Sequence, residues 1–131
     1  MDTRTSQTAP TSARRILVAD DDPVNRRLAG MLLGRAGHVA TIVEDGLAAV
    51  EAALGRAFDL ILLDINMPGL TGLEVVERIR AAEAASGGVR ARVLALTGHS
   101  GLHDRQCCLD AGMDGVVVKP LTLGALDGWL A

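Results

Sequence analysis

Five short apolar runs, at residues 16–19, 39–43, 60–63, 93–96 and 116–118, set the strongest limit on how this chain folds. Each is continuous rather than alternating, the pattern of a strand buried on both faces. Between them lie stretches of helical period. Pro23 suits the first turn of a helix. Val24, Leu28, Met31 and Leu32 then repeat at helical spacing, and Gly37 closes the segment. Glu44-Asp45-Gly46 opens a second helix that runs through Leu54, and Pro68-Gly69-Leu70-Thr71-Gly72 is a loop into a third. The stripe of that third helix is Leu73, Val76 and Ile79, and it runs out over 81–86 before Gly87-Gly88. A fourth helix is predicted over 102–111, stopped by Gly112, and a fifth over 122–130. Strand and helix alternate five times with short connections. That pattern predicts an α/β fold: a five-stranded parallel sheet with helices on both faces and right-handed crossovers. Any ligand belongs beyond the carboxyl ends of the strands.

The 131 residues suffice for one hydrophobic core, so one domain is expected over 14–131. The polar opening MDTRTSQTAPTSA, residues 1–13, reads as a disordered leader or linker. With net charge −3, one Phe, one Trp and no Tyr, the chain offers no basic stripe and no stacking platform, which argues against nucleic acid as a partner. No apolar run approaches the ~20 residues of a membrane span, so this domain is not expected to bind a membrane. Cys107 and Cys108 are adjacent, which disfavours a bridge between them. They read as thiols in a reducing cytoplasm.

The polar residues that end the runs fall together. The first run ends in Asp20-Asp21-Asp22, the third in Asp64, the fourth in Thr97 and the fifth in Lys119-Pro120. A doubly wound sheet brings all of them to one edge. Carboxylates crowded in this way repel, and removing each from water costs several kcal/mol unless something compensates it. A hard divalent cation does so: magnesium takes oxygen ligands and offsets the repulsion, with phosphate oxygens completing its shell. Lys119 adds a point charge suited to phosphate, and Thr97 a hydroxyl donor. Lys119 is also the only lysine among 13 basic residues, the rest being arginine, so the general preference for arginine fails at this one place. Each residue has an ordinary use as well: Asp22 as a helix cap ahead of Pro23, Asp64 and Thr97 as turn formers, Lys119 as a surface charge. Four strand ends carrying these types jointly are what a site requires.

The motifs ILVADDDPVNRR, DLILLDINMPGLTGLEVVERIR, ALTG and VVVKPL, in this order, resemble those of a response-regulator receiver domain. This is the chemotaxis-regulator-like phospho-acceptor module of two-component and phosphorelay signalling. The resemblance spans residues 14–131. It implies a flavodoxin-like sheet of strand order 2-1-3-4-5. It casts Asp64 as the nucleophile that takes a phosphoryl group from a phosphohistidine on a histidine kinase or histidine phosphotransfer domain, and so switches binding of a downstream protein. Magnesium would be held directly by Asp21 and Asp64, by the backbone carbonyl of Asn66, and by Asp20 through water. Thr97 and Lys119 match the hydroxyl and the lysine that engage the phosphate. Asn66 and His99 match positions that tune the lifetime of the phosphorylated state. Such a module phosphorylates and dephosphorylates itself rather than turning over as an enzyme. The stretch LDAGMDGVVVKPLTL resembles receivers attached to hybrid kinases.

One position departs from the family pattern. Val116 stands where these domains often carry a Tyr or Phe that swings inward on activation. Three other readings compete. Asp20-Asp21-Asp22-Pro23-Val24 spells the D-x-D-x-V of haloacid-dehalogenase-type phosphatases, with Asp20 as nucleophile and Asp22 as general acid, but that leaves Asp64 and Lys119-Pro120 without roles. A receiver fold could serve as an interaction module that never accepts phosphate. His99 and His103, four apart, could bind zinc only with a third ligand.

Overall fold

The computed structural model describes residues 13–98 and 102–130, with the side chains of 102–104 excepted. The strands are β1 (Arg15–Ala19), β2 (Val39–Val43), β3 (Leu60–Asp64), β4 (Arg92–Thr97) and β5 (Gly115–Val118). The helices are α1 (Pro23–Arg35), α2 (Gly46–Gly55), α3 (Gly72–Ser86), α4 (Leu102–Ala111) and α5 (Leu123–Leu130). All four strand pairings are parallel, in the order β2-β1-β3-β4-β5. The fold is therefore the flavodoxin-like doubly wound sheet that the sequence predicts. Of the leader expected over 1–13, all but Ala13 lies outside the described residues, as does His99.

Strand alternation splits the interior into two cores. Leu17 and Ala19 of β1, Ile61 and Leu63 of β3, and Val93 and Ala95 of β4 face one way, against Val50 of α2, Val76 and Ile79 of α3 and Cys108 of α4. Ile16, Val18, Leu60, Leu62, Leu94 and Leu96 face the other way, against Ala29 and Leu33 of α1 and Leu126 of α5. β1 and β3 are central, so both their faces are covered and nearly every residue is buried. Each such Leu or Ile contributes roughly 1.5–3 kcal/mol by leaving water. β2 is an edge strand and is only half-buried, with Val39 exposed, so its apolar run is not buried on both faces.

Helix α1 differs from its expected stripe. Val24 and Met31 are 71% and 48% exposed, while Ala29 and Leu33 are buried. The packed face is turned by one residue because small side chains let the helix lie close to the sheet. A Cβ at Gly30 would already stand 3.1 Å from Ile42 Cδ1. The start of α1 is as expected: the Asp22 carboxylate accepts from the Val24 N–H at 2.8 Å, with Pro23 in the first turn. Asp45 caps α2 in the same way, through the Ala48 N–H. Thr71 and Glu74 close a reciprocal capping box on α3.

An arginine-centred network, which the sequence does not announce, ties α3 to the starts of β4 and β5. Arg80 donates to Gly112 O (2.9 Å), Ala91 O (2.7 Å), Glu83 Oε1 (2.8 Å) and Asp114 Oδ2 (3.1 Å). Asp114 also accepts from the Val93 N–H and from Arg90. Burial pushes the Asp114 carboxyl up, but the Val93 N–H and the Arg90 and Arg80 guanidiniums outweigh it and hold it below its ordinary value. A carboxylate depressed on folding stabilises the fold above its unfolded pKa and loses that contribution as pH falls through the folded one. Asp114→Asn is therefore expected to cost about 1–3 kcal/mol at neutral pH, with the gap to wild type closing below about pH 4. Urea denaturation of both proteins across pH measures this, and a gap that is constant with pH would refute the charge-based account.

Candidate functional site

Because the strands are parallel, their carboxyl ends share one edge, and there the sequence-predicted residues meet. Asp20 directly follows β1, and its N–H continues the ladder to Val43 O at 3.2 Å. The residue is 1% exposed; Oδ1 accepts from the Asp22 N–H at 2.9 Å. Asp64 ends β3 and is 3% exposed, with Oδ1 accepting from the Asn66 N–H at 3.1 Å. Lys119 Nζ lies 3.0 Å from Asp64 Oδ2 and 3.6 Å from Asp20 Oδ2, so one ammonium is shared by two buried carboxylates. The Lys119 N–H donates to Thr97 O at 2.7 Å, which fixes the lysine's backbone to the end of β4, and the Thr97 side chain is buried. Asp21 is exposed on the rim, yet one carboxylate oxygen each from Asp20, Asp21 and Asp64 lie within 4.8 Å of one another.

The charges do not balance. Three carboxylates and one ammonium leave a net charge of −2 at the mouth of the sheet. Burial pushes the Asp64 carboxyl up. The Lys119 hydrogen bond, the Asn66 N–H and the lysine's charge pull it down, Asp20 adds to the rise, and the net position is above the ordinary value. Burial would lower the Lys119 ammonium, but its bond to Asp64 and the charges of Asp64 and Asp20 outweigh that and raise it. A converging all-oxygen donor set with an uncompensated charge of −2 fits a hard divalent cation such as magnesium. Asp20, Asp21 and Asp64 are the side chains that would hold it.

Asp22 lies outside the cluster. It is exposed and engaged in capping α1, so it is not placed as the general acid that the D-x-D-x-V reading needs. His38 accepts the Arg14 N–H on Nδ1. His99 and the side chain of His103 lie outside the described residues.

Several supports of the site had no clear sequence signal. Arg26 donates to Asp20 O at 3.0 Å. Gly72, legible only as a loop residue, has its Cα pressed on the backbone of Asp64: a Cβ there would stand 2.5 Å from Asp64 O and 3.1 Å from Ile65 Cα. Its N–H donates to Ile65 O at 3.0 Å. A Cβ on Gly46 would likewise collide with Leu70 O. The two glycines thus clamp the loop of residues 65–71 between α2 and the end of β3.

Residues 16–130 match the response regulator receiver domain family. The sensor protein GacS of Pseudomonas syringae pv. syringae is 40% identical over 115 residues, which cover 86% of this chain and 13% of that protein. The chain thus spans about an eighth of the length of the curated relatives it matches. Among solved structures, the receiver domain of sensor histidine kinase PA1611 from Pseudomonas aeruginosa PAO1, with magnesium in its active-site cleft, superimposes with a TM-score of 0.79. Identity is 35%, over 90% of this chain and 94% of that one. The receiver domain of Ssk1 bound to the histidine phosphotransfer protein Ypd1, from Saccharomyces cerevisiae, gives 0.81 at 25% identity, covering 86% and 82%.

Two outcomes follow from this geometry. Only backbone can yield to a methyl group at Gly72, so Gly72→Ala is expected to cost about 1–3 kcal/mol and to slow modification of Asp64; thermal denaturation and a phosphorylation assay read the two effects. A carboxyl raised on folding costs stability once pH has risen through its unfolded and then its folded pKa. Without metal, Asp64→Asn is therefore expected to be more stable than wild type at neutral pH, with the advantage fading as pH falls through the raised folded pKa and gone below about pH 4. Melting curves in a chelator measure it; a destabilised variant would mean that the Lys119 pair outweighs the burial.

Proposed function

This chain belongs to the response regulator receiver domain family, and on that premise we propose that it accepts a phosphoryl group on Asp64 from a phosphohistidine. The observation that carries the reading is the Asp64 carboxylate: 3% exposed at the carboxyl end of β3, with Lys119 Nζ at 3.0 Å and two further carboxylates gathered beside it. A carboxylate that is buried, oriented and opposed by a single shared cation is a held nucleophile rather than a spent ion pair.

In the step, a carboxylate oxygen of Asp64 forms a bond to phosphorus as the bond between phosphorus and the donor imidazole nitrogen breaks. The electron pair stays on that nitrogen, which takes a proton from solvent. Bound magnesium supplies stabilisation of the charge on the phosphoryl oxygens. Lys119, drawn onto the incoming group, gives up its contact with Asp64 and places its ammonium on a phosphoryl oxygen. Thr97, one residue beyond the partner of Asp64 in the β3–β4 register, offers its hydroxyl to another. The Asn66 N–H already holds one Asp64 oxygen, which orients the other for attack. The Asn66 carbonyl would complete the metal's protein ligands, with Asp20 holding it through water, and Asn66 with His99 governs how long the acyl phosphate survives.

The donor is a histidine kinase or a histidine phosphotransfer domain, and the receiver module of residues 14–131 works as part of a phosphorelay of the hybrid-kinase kind. The relatives support this setting, being sensor kinases of which the chain matches a small part. No helix among the described residues is long and apolar enough to cross a membrane. The module works in the cytoplasm, where its thiols stay reduced. Val116, half-buried against the core under α4, offers no aromatic to swing inward. The phosphorylated state therefore spreads through Thr97 and Lys119 and their backbone bond to the output protein's surface.

Intact mass with acetyl phosphate and magnesium tests the reading on wild type and Asp64→Asn in parallel. One added phosphoryl group is expected, dependent on magnesium and absent from the variant. An adduct that persists in Asp64→Asn would shift the nucleophile to Asp20 and overturn the assignment.

A further inference from the structure

The opposite edge of the sheet carries a second feature that the phosphoryl chemistry does not use. Beneath the amino ends of β1, β3 and β4 lies an open groove of about 900 Å³, bounded by the carboxyl ends of α2, α3 and α5. Five arginines line it: Arg14, Arg15, Arg56, Arg90 and Arg92. So do Phe58 and Trp129, the only phenylalanine and the only tryptophan of the chain. Leu54 and Val89, 56% and 94% exposed, flank them as uncovered apolar side chains.

The charge here is opposite to that of the molecule, whose net charge is −3. Of the two acids in the groove, Glu83 is paired with Arg80 and also accepts the Ala91 N–H. Asp59 accepts the Arg15 backbone N–H at 2.8 Å and pairs with no cation among the described residues, one acid against the groove's remaining arginines. Arg90 is neutralised by Asp114. Among the described residues the Arg14 guanidinium donates only to Leu130 O and that of Arg92 only to Trp129 O, with the Trp129 ring 6.0 Å away, so neither meets a carboxylate there. The Arg15 and Arg56 side chains are exposed and make no hydrogen bond or ion pair among the described residues. We propose that this groove is a docking surface for an acidic segment of a partner protein, its carboxylates meeting the arginines and its apolar side chains covering Phe58, Leu54 and Val89. A small inorganic anion would satisfy the guanidiniums but leave that apolar surface in water, whereas a polypeptide segment answers both. The inference is independent of the phosphoryl reading, since the groove shares no residue with that site.

Trp129, with no tyrosine in the chain to compete, reports on the groove by its fluorescence. The full chain is titrated with a helix-forming peptide of about 15 residues that bears Glu on one face and Leu on the other, and with its counterpart carrying Lys for every Glu. A saturable change with the acidic peptide only is expected, weakened by salt and by about tenfold or more in Arg15→Glu/Arg56→Glu. Neither side chain bonds to the fold, so the double variant should keep the wild-type melting curve. Asp64→Asn should bind the peptide as wild type does. Equal binding of the two peptides, equal binding by the double variant, loss of binding in Asp64→Asn, or no saturable change would each overturn the proposal. So would displacement of the peptide by ATP, which would mark a small-molecule site. A signal that rises with protein concentration alone would mark self-association instead and refute the proposal equally.

Discussion

One ammonium group holds two buried carboxylates apart at the end of this sheet, and the rest of the architecture is arranged so that it can. Asp20 and Asp64 are both almost wholly removed from water. Two carboxylates so placed repel each other and pay the cost of lost hydration, and Lys119, 3.0 Å and 3.6 Å away, is the cation among the described residues that bridges them. A lysine rather than an arginine suits the position. A guanidinium would fix a planar, bidentate pair with one carboxylate, whereas an ammonium is a point charge that can be shared and then transferred to an incoming phosphate. The lysine reaches the crevice because β5 is hydrogen-bonded beside β4, and the Lys119 N–H is held by Thr97 O. Asp20 and Asp64 are likewise placed by backbone, one directly after β1 and the other at the end of β3.

The other half of the placement comes from missing side chains. At Gly72, and at Gly46 across the loop, helix and strand ends approach until no Cβ fits. The loop that carries Asn66 is thereby pinned on both sides, and its N–H is aimed at the carboxylate of Asp64. Close packing of backbone on backbone transmits displacement with little loss. A shift of Asp64 is therefore also a shift of α3, which lies next to α4. That linkage gives the proposed phosphorylation a second route to the surface, beside the one through Thr97 and Lys119, without an aromatic at position 116.

The fold and the site were legible in the sequence to different depths. The central strands β1 and β3 are apolar on both faces, so their runs stand out, and the polar residues that end them mark the edge where a parallel sheet gathers its chemistry. The cap by Asp22 was legible because Pro23 follows it. The packed face of α1 was not, because Ala29 and Gly30 carry the close approach and neither adds hydrophobicity to a periodic pattern. Val24 and Met31 fit that pattern and still face solvent. The network around Arg80 was invisible for another reason. Arg80, Glu83, Arg90 and Asp114 are unremarkable surface types one by one, and only the right-handed crossover from α3 through β4 to β5 brings them together.

Charge balance separates what holds the fold from what serves a ligand. The network around Arg80 joins two arginines to two acids and comes out neutral, with its donors spent on Gly112 O, Ala91 O, Glu83 and Asp114. Nothing in it awaits a further group, and its role is complete within the chain. The carboxyl edge of the same sheet leaves three acids against one lysine, and burial has already raised the Asp64 carboxyl. Natural sequences keep such local conflict where a function repays it. A fold stabilised on its own account would have replaced Asp20 or Asp64 with a neutral residue of like size. That both persist beside a lone lysine, while Glu83 and Asp114 at the opposite edge are matched charge for charge by Arg80 and Arg90, distinguishes a site built for a cation and phosphate from a set of polar residues that merely ends the strands.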